Sequence, residues 1–160
     1  IQAMSRFYHA TALKKGAYPY LTPSFFLTIA QTMPDRIVLW LAEMDGAWVA
    51  GSLHFLKGNA LYGRYWGCTT PVRHLHFELC YYRAIEFGIH AGLSKIEAGA
   101  QGPNKVLKGY NPVITHSAHW IAQPEFREAI GRFVEEESED LTNGLAAHQD
   151  HLAYKPRPGA

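Results

Sequence analysis

The sequence predicts a mixed α+β domain of the α/β type: a mostly antiparallel sheet flanked by helices. Three observations predict it. Three β-rich apolar runs follow one another between residues 37 and 68 with only turn signals between them. Segments with apolar residues at steps of three and four stand before and after that block. A short strand-like run, "SKIEA", then follows the longest helical segment.

Taken in order, "SRFYHATALKKGA" places Phe7, Ala10 and Leu13 or Lys14 at helical spacing, and Gly16 ends it. In "LTPSFFLTIAQTM", Thr22 is the expected N-cap, Pro23 the first helical residue, and Phe26, Ile29 and Met33 the buried stripe. "RIVLWLAE" and "AWVAGSLHFL" are strands joined by Asp45-Gly46, a strong hairpin signal. "KGNA" turns the chain into a third strand, "LYGRYWGC". The clearest helix is "HLHFELCYYRAIEFGIHAG", with Leu75, Leu79, Tyr82, Ile85 and Ile89 on its apolar side and Gly92 at its end. After "SKIEA", "PNKVLKG" forms one helical turn, "PVITHSAHWI" reads as a last strand, and Pro124 opens a helix to about Leu141, stopped by "TNG". The order is α-α-β-β-β-α-β-(α)-β-α: one domain over residues 1–141 and a flexible tail over 142–160.

At 160 residues the chain is long enough to bury about 68–70% of its unfolded surface. A net charge of +1 leaves no polyanion-binding footprint, so bulk recognition of nucleic acid is not expected. No apolar run reaches the length of a membrane span, and no signal-peptide pattern is present. Cys68 and Cys80 do not make a disulfide framework, and a cytoplasmic setting fits them. The chain opens at Ile1, mid-pattern, as an excised piece of a longer protein would.

Two carboxylates attract attention. Glu78 lies at the edge of the buried helical stripe, where desolvation would raise its pKa into the range of a general base or acid. The competing reading is a structural ion pair with Arg64, Arg83 or a tyrosine. Glu97 ends the short strand before "AGAQGPNKVLKG". There Gly99 and Gly102 can take positive φ and expose amide N–H groups to an anion, with Lys105 and Lys108 adding charge. The competing reading is a tight loop with solvated lysines. No Gly-Lys-Ser or Gly-Lys-Thr is present, which disfavours nucleotide hydrolysis.

The histidines do not form a metal set, and no metal is expected. His74 and His76 diverge on a helix, and His116 and His119 point to opposite faces of a strand. Both cysteines are read as packing residues. Tyr62, Arg64 and Trp66 alternate along one strand face, as core with a cation–π contact or as a cleft wall.

Together "LYGRYWG", "LHFELCYYRAIEFGI", "KIEAGAQGPNK" and "THSAHW" resemble a bacterial family of predicted N-acyltransferases. That family is labelled peptidoglycan biosynthesis/recognition proteins, in the GNAT-like superfamily near the Fem-type aminoacyltransferases. The resemblance covers roughly residues 5 to 140, and members about twice this length make the chain a C-terminal portion. It implies a GNAT-like fold in which strands 60–67 and 94–98 splay to grip an acyl donor. It also implies transfer of an acyl or aminoacyl group to an amine, with Glu78 or Glu97 as base and Tyr65 returning a proton to the leaving group. Gly99, Gln101, Gly102, Lys105 and Lys108 would hold the donor, and Arg64, Trp66, His76, Ser117 and His119 the acceptor.

Two departures qualify these roles. Pro103 and Asn104 replace a carboxylate and an imidazole of the family loop, and Lys108 replaces an arginine, removing bidentate anion recognition there. "CTTPVRHL" has no glycine where acetyl-CoA enzymes carry their pyrophosphate loop. An acyl-CoA donor therefore stands beside an aminoacyl donor, the latter carried on tRNA as the single nucleic-acid partner expected. A homodimer and a non-catalytic binding module are the remaining alternatives.

Overall fold

The computed structural model describes residues 1–99 and 103–148, and the chain divides into two compact units, Ile1–Gln101 and Gly102–Ala160. The first unit carries the sheet. Helix α1 spans Gln2–Lys14 and α2 spans Pro23–Thr32. Strands β1 (Ile37–Met44), β2 (Ala47–Lys57) and β3 (Ala60–Cys68) follow directly. A composite helix comes next: α3 at Leu75–Phe77, a π turn at Glu78–Tyr82 and α4 at Arg83–His90. β4, Lys95–Glu97, completes a sheet of order β1-β2-β3-β4, antiparallel except for the parallel β3–β4 pair.

Local chemistry places the element ends. Thr22 accepts a hydrogen bond from the Phe25 amide, and Pro23 occupies the first helical position, where no N–H is needed. The hairpin between β1 and β2 turns through Asp45 and Gly46, both at positive φ (53° and 76°), as a type I′ connection requires. α1 and α4 end alike: the amide of Gly16 reaches the Leu13 carbonyl and that of Ala17 the Ala12 carbonyl. Gly92 and Leu93 likewise bond to Ile89 and Gly88.

Cross-strand register assigns every side chain of β2 to a face. Leu53 and Phe55 turn to α1 and α2. There Met4, Tyr8, Phe26, Ile29 and Leu53 form the core, with Ile37, Leu39 and Tyr65 packed against it. Ser52 and His54 turn the other way, toward the composite helix, with Trp40 of β1 and Trp66 of β3. Gly67 lets α1 lie directly on β3, because a Cβ there would sit 2.2 Å from the Phe7 carbonyl oxygen.

The structure departs from the sequence expectations in register and extent. The composite helix buries Leu79, Tyr81, Ala84 and Gly88, whereas Tyr82 and Ile89 are exposed. After Leu79 the buried positions, Tyr81, Ala84 and Gly88, each stand one residue before the expected Tyr82, Ile85 and Ile89, because the π turn interrupts the 3.6-residue period. A bulge opposite Leu53 and His54 leaves Arg64 outside the β2–β3 pairing, so Tyr62, Arg64 and Trp66 do not share a face. Leu13 of α1 is exposed. The β3–β4 ladder covers Ala60–Lys95, Leu61–Ile96 and Tyr62–Glu97 and then stops, while β3 runs on to Cys68.

In the second unit the expected helical turn is present as a 3-10 helix at Pro103–Lys108. The stretch 110–121 forms no strand. α5 runs from Pro124 to His148, past the expected end at Leu141 and through "TNG". The expected tail is therefore helical over 142–148, and its remainder lies outside the described residues. Among the described residues no helix is long and apolar enough to cross a membrane.

Candidate functional site

Arg83, Glu86, Phe87 and His90 stand at steps of three and four on α4 and so form one face of it. With Glu78, Leu79 and the β1 residues Trp40 and Leu41 they line a cavity of 540 Å³. Trp40 and Phe87 form its aromatic side, with ring centroids 5.9 Å apart in an edge-to-face arrangement. Arg83 is shared by two carboxylates: its Nε donates to Glu78 Oε1 and its Nη1 to Glu86 Oε2, each at 2.9 Å. Two carboxylates against one guanidinium leave a unit of negative charge beside aromatic rings, a setting that suits a cationic amine.

Glu78 therefore lines a hollow, but not in the way the sequence suggested. Its side chain is 43% exposed and ion-paired to Arg83, so it is not desolvated in a buried stripe. The structural alternative that named Arg83 describes its partner correctly. Glu97 is paired with Lys95, whose pKa is raised by that contact, and does not line the cavity. The two acids do not floor one cleft.

Tyr65 is on the opposite face of the sheet from Glu78. Its hydroxyl lies 3.2 Å from that of Tyr20, and its ring meets Tyr8 edge to face at 5.3 Å. Burial, then the Tyr20 contact, pushes its pKa up to about 12, so it remains an O–H donor. Arg64 is exposed and lies over the Tyr65 ring at 5.5 Å, the one cation–π contact foreseen. Trp66 and His76 do come together, edge to face at 5.2 Å, in a cluster with Phe77 and Tyr81. Burial, with Lys15 nearby, lowers the His76 pKa.

Gly99 has φ of 86°, the positive value expected for a backbone-donor bend. Gln101 and Gly102 lie outside the described residues. Lys105 and Lys108 stand in the 3-10 turn of the second unit, and desolvation lowers the Lys105 pKa. In the same unit His119 Nε2 and Ser117 Oγ are 3.1 Å apart on an exposed segment.

Sequence reasoning missed two buried polar residues. Ser52 and His54 are 0% and 2% exposed. Ser52 Oγ donates to the Leu79 carbonyl at 2.9 Å. His54 stacks edge to face on Trp40 at 4.5 Å, and its Nδ1 has no hydrogen-bond partner. Burial lowers its pKa to about 4, against a hydrogen bond with the Cys80 backbone. The signal was legible in "VAGSLHFL": two polar residues two apart, sharing a face of an otherwise apolar strand. Burial pushes the Cys80 thiol up to about 12, which fits packing and not nucleophilic attack.

No curated protein matches the chain. The family comparison is positive: residues 1–156 match the FemAB-like family, described as peptidoglycan biosynthesis/recognition. That match spans the β3–β4 pair and the residues lining the cavity alike, and the chain belongs to the FemAB-like peptidoglycan biosynthesis/recognition family.

Proposed function

We propose that this chain transfers an aminoacyl or acyl group to an amine of a peptidoglycan precursor, with the cavity beside Glu78 receiving the amine. The observation that carries this reading is the arrangement of Glu78, Arg83 and Glu86 over Trp40 and Phe87, in a chain of that family. An amine arrives protonated and must lose its proton before attacking an ester or thioester carbonyl. Glu78 accepts that proton, directly or through water, while Arg83 and Glu86 keep its carboxylate aimed at the cavity; the C–N bond forms as the donor's ester or thioester bond breaks, and the hydroxyl or thiol leaving group departs with the amine's second proton. Seating the amine on the aromatic side contributes proximity. Tyr65, across the sheet, has no part in this step. The donor binds where β3 outruns β4, its carbonyl gripped by exposed strand backbone.

A second reading, recognition without transfer, is favoured by one observation: both Glu78 and Glu97 are already engaged in ion pairs, an arrangement that can hold a charged ligand with no proton transfer. The test is to incubate the protein with an amine-bearing peptidoglycan precursor and either labelled aminoacyl-tRNA or acyl-CoA, then look for the amide product by mass spectrometry. Amide product with either donor is the expected result. Precursor binding by thermal shift with no product from either donor would sink the transferase in favour of recognition.

A further inference from the structure

The Glu78–Arg83 pair spans five residues, and an α-helix does not bring such residues together. At 3.6 residues per turn, five residues sweep about 500°, leaving the two side chains about 140° apart. The π turn closes that angle: the Arg83 amide bonds to the Glu78 carbonyl, aligning residues i and i+5. The arrangement has a consequence for the next carbonyl. In an α-helix the Arg83 amide would bond to Leu79, so the π turn releases the Leu79 carbonyl inside the protein, where an unmet acceptor is costly. The hydroxyl of Ser52, itself fully buried, meets that carbonyl at 2.9 Å. His54 lies two residues on, on the same face of β2, and is equally buried.

We infer that Ser52 is a positioning residue: by satisfying the Leu79 carbonyl it holds the π turn that sets Glu78 beside Arg83 on the cavity wall. It touches neither cavity nor pair and acts through the helix backbone. The inference matters for function through the proposed role of Glu78. Its readout, however, is the geometry of the pair and not transfer, so the two readings fail separately.

NMR on the full chain tests it. The wild-type protein is expected to show a through-hydrogen-bond coupling between the Arg83 amide nitrogen and the Glu78 carbonyl. It should also show a slowly exchanging Arg83 Nε–H. In Ser52→Ala the helix is expected to relax to α register: the coupling moves to Leu79 and the Nε–H signal is lost. Deleting Tyr82 in that background removes the inserted residue. Glu78 and Arg83 then become i and i+4, and no carbonyl is orphaned, so the coupling to Glu78 and the Nε–H signal return. If Ser52→Ala keeps both wild-type signatures, the inference is overturned. Should Ser52→Ala fail to fold, the deletion variant decides: recovery of fold and pair supports the role, and failure to recover them overturns it.

Discussion

Strand β2 sends opposite chemistry to its two sides. Toward α1 and α2 it presents Leu53 and Phe55 to an apolar core. Toward the composite helix it presents Ser52 and His54, buried as deeply. A face that served stability alone would gain nothing from a buried hydroxyl and imidazole, since each must find a partner or pay for desolvation. The core side is organised by volume, and the helix side by the hydrogen bonds that fix one backbone turn. Stability therefore resides mainly on one face, and the geometry of the candidate site on the other.

The largest effect expected from this division is on the core side. Phe26 is fully buried among Met4, Tyr8, Ile29 and Leu53. Phe26→Ala removes its apolar contacts and leaves a cavity, at a cost of about 3–5 kcal/mol. Urea unfolding at pH 7 measures it. The loss should be the same at pH 5, because the hole is lined by Met4, Ile29 and Leu53 with Tyr8, and Tyr65 at its edge has its pKa raised by burial. A loss below about 1 kcal/mol would mean that this face is not where the stability lies.

The helix side should instead respond to pH. His54 has its pKa lowered from 6.5 to about 4, chiefly by burial. The unfolded chain then binds a proton that the folded chain refuses between those values, so stability rises with pH across this window. The contribution is fully present above pH 6.5 and is lost as pH falls toward 4, by at most about 3 kcal/mol. His76 acts in the same direction, while the Cys80 thiol stays neutral throughout. His54→Gln should flatten most of the slope, leaving the part due to His76. Phe26→Ala should shift the whole curve down without changing its slope. An unchanged slope in His54→Gln would remove the imidazole from the account.

Part of this was legible in the sequence and part was not, for a physical reason. Caps, turn glycines and the Asp45-Gly46 hairpin are local, and α1, α2 and the three-strand meander formed where they indicate. The π turn and the bulge at Arg64 are single-residue insertions, and a regular period carried across either one assigns later residues to the wrong face. Carried across them, the period puts Glu78 at the edge of a buried stripe and Trp66 on the face of Tyr62. "PVITHSAHWI" has strand composition but no ladder here. A strand is made by its neighbour, which composition does not specify. Thr142 to Gly144 have the composition of a helix stop, yet α5 passes through them, Thr142 Oγ1 bonding back to the Ser138 carbonyl. Of the candidate site, the sequence points to Glu78 by its position and to Arg83 as one of its possible partners, while Trp40, Glu86 and Phe87 emerge only once the helix is set against β1.

The smallest stability effect and the most informative activity effect belong to the same substitution. Both members of the Glu78–Arg83 pair are about half exposed, so the pair contributes only about 0.2–1 kcal/mol, and Arg83 retains Glu86 without it. Glu78→Gln should therefore melt within about 2–4 °C of the wild type. If Glu78 is the base, transfer to the precursor amine should fall by about 10²–10⁴-fold, while the binding of that precursor changes much less. Full transfer activity in the variant would move proton removal to another group. Equal losses of binding and transfer would make Glu78 a recognition residue for the ammonium, the role its ion pair already fits. A variant that fails to fold would contradict the division between the two faces, since it would place structural weight on a half-exposed pair at the margin of the sheet.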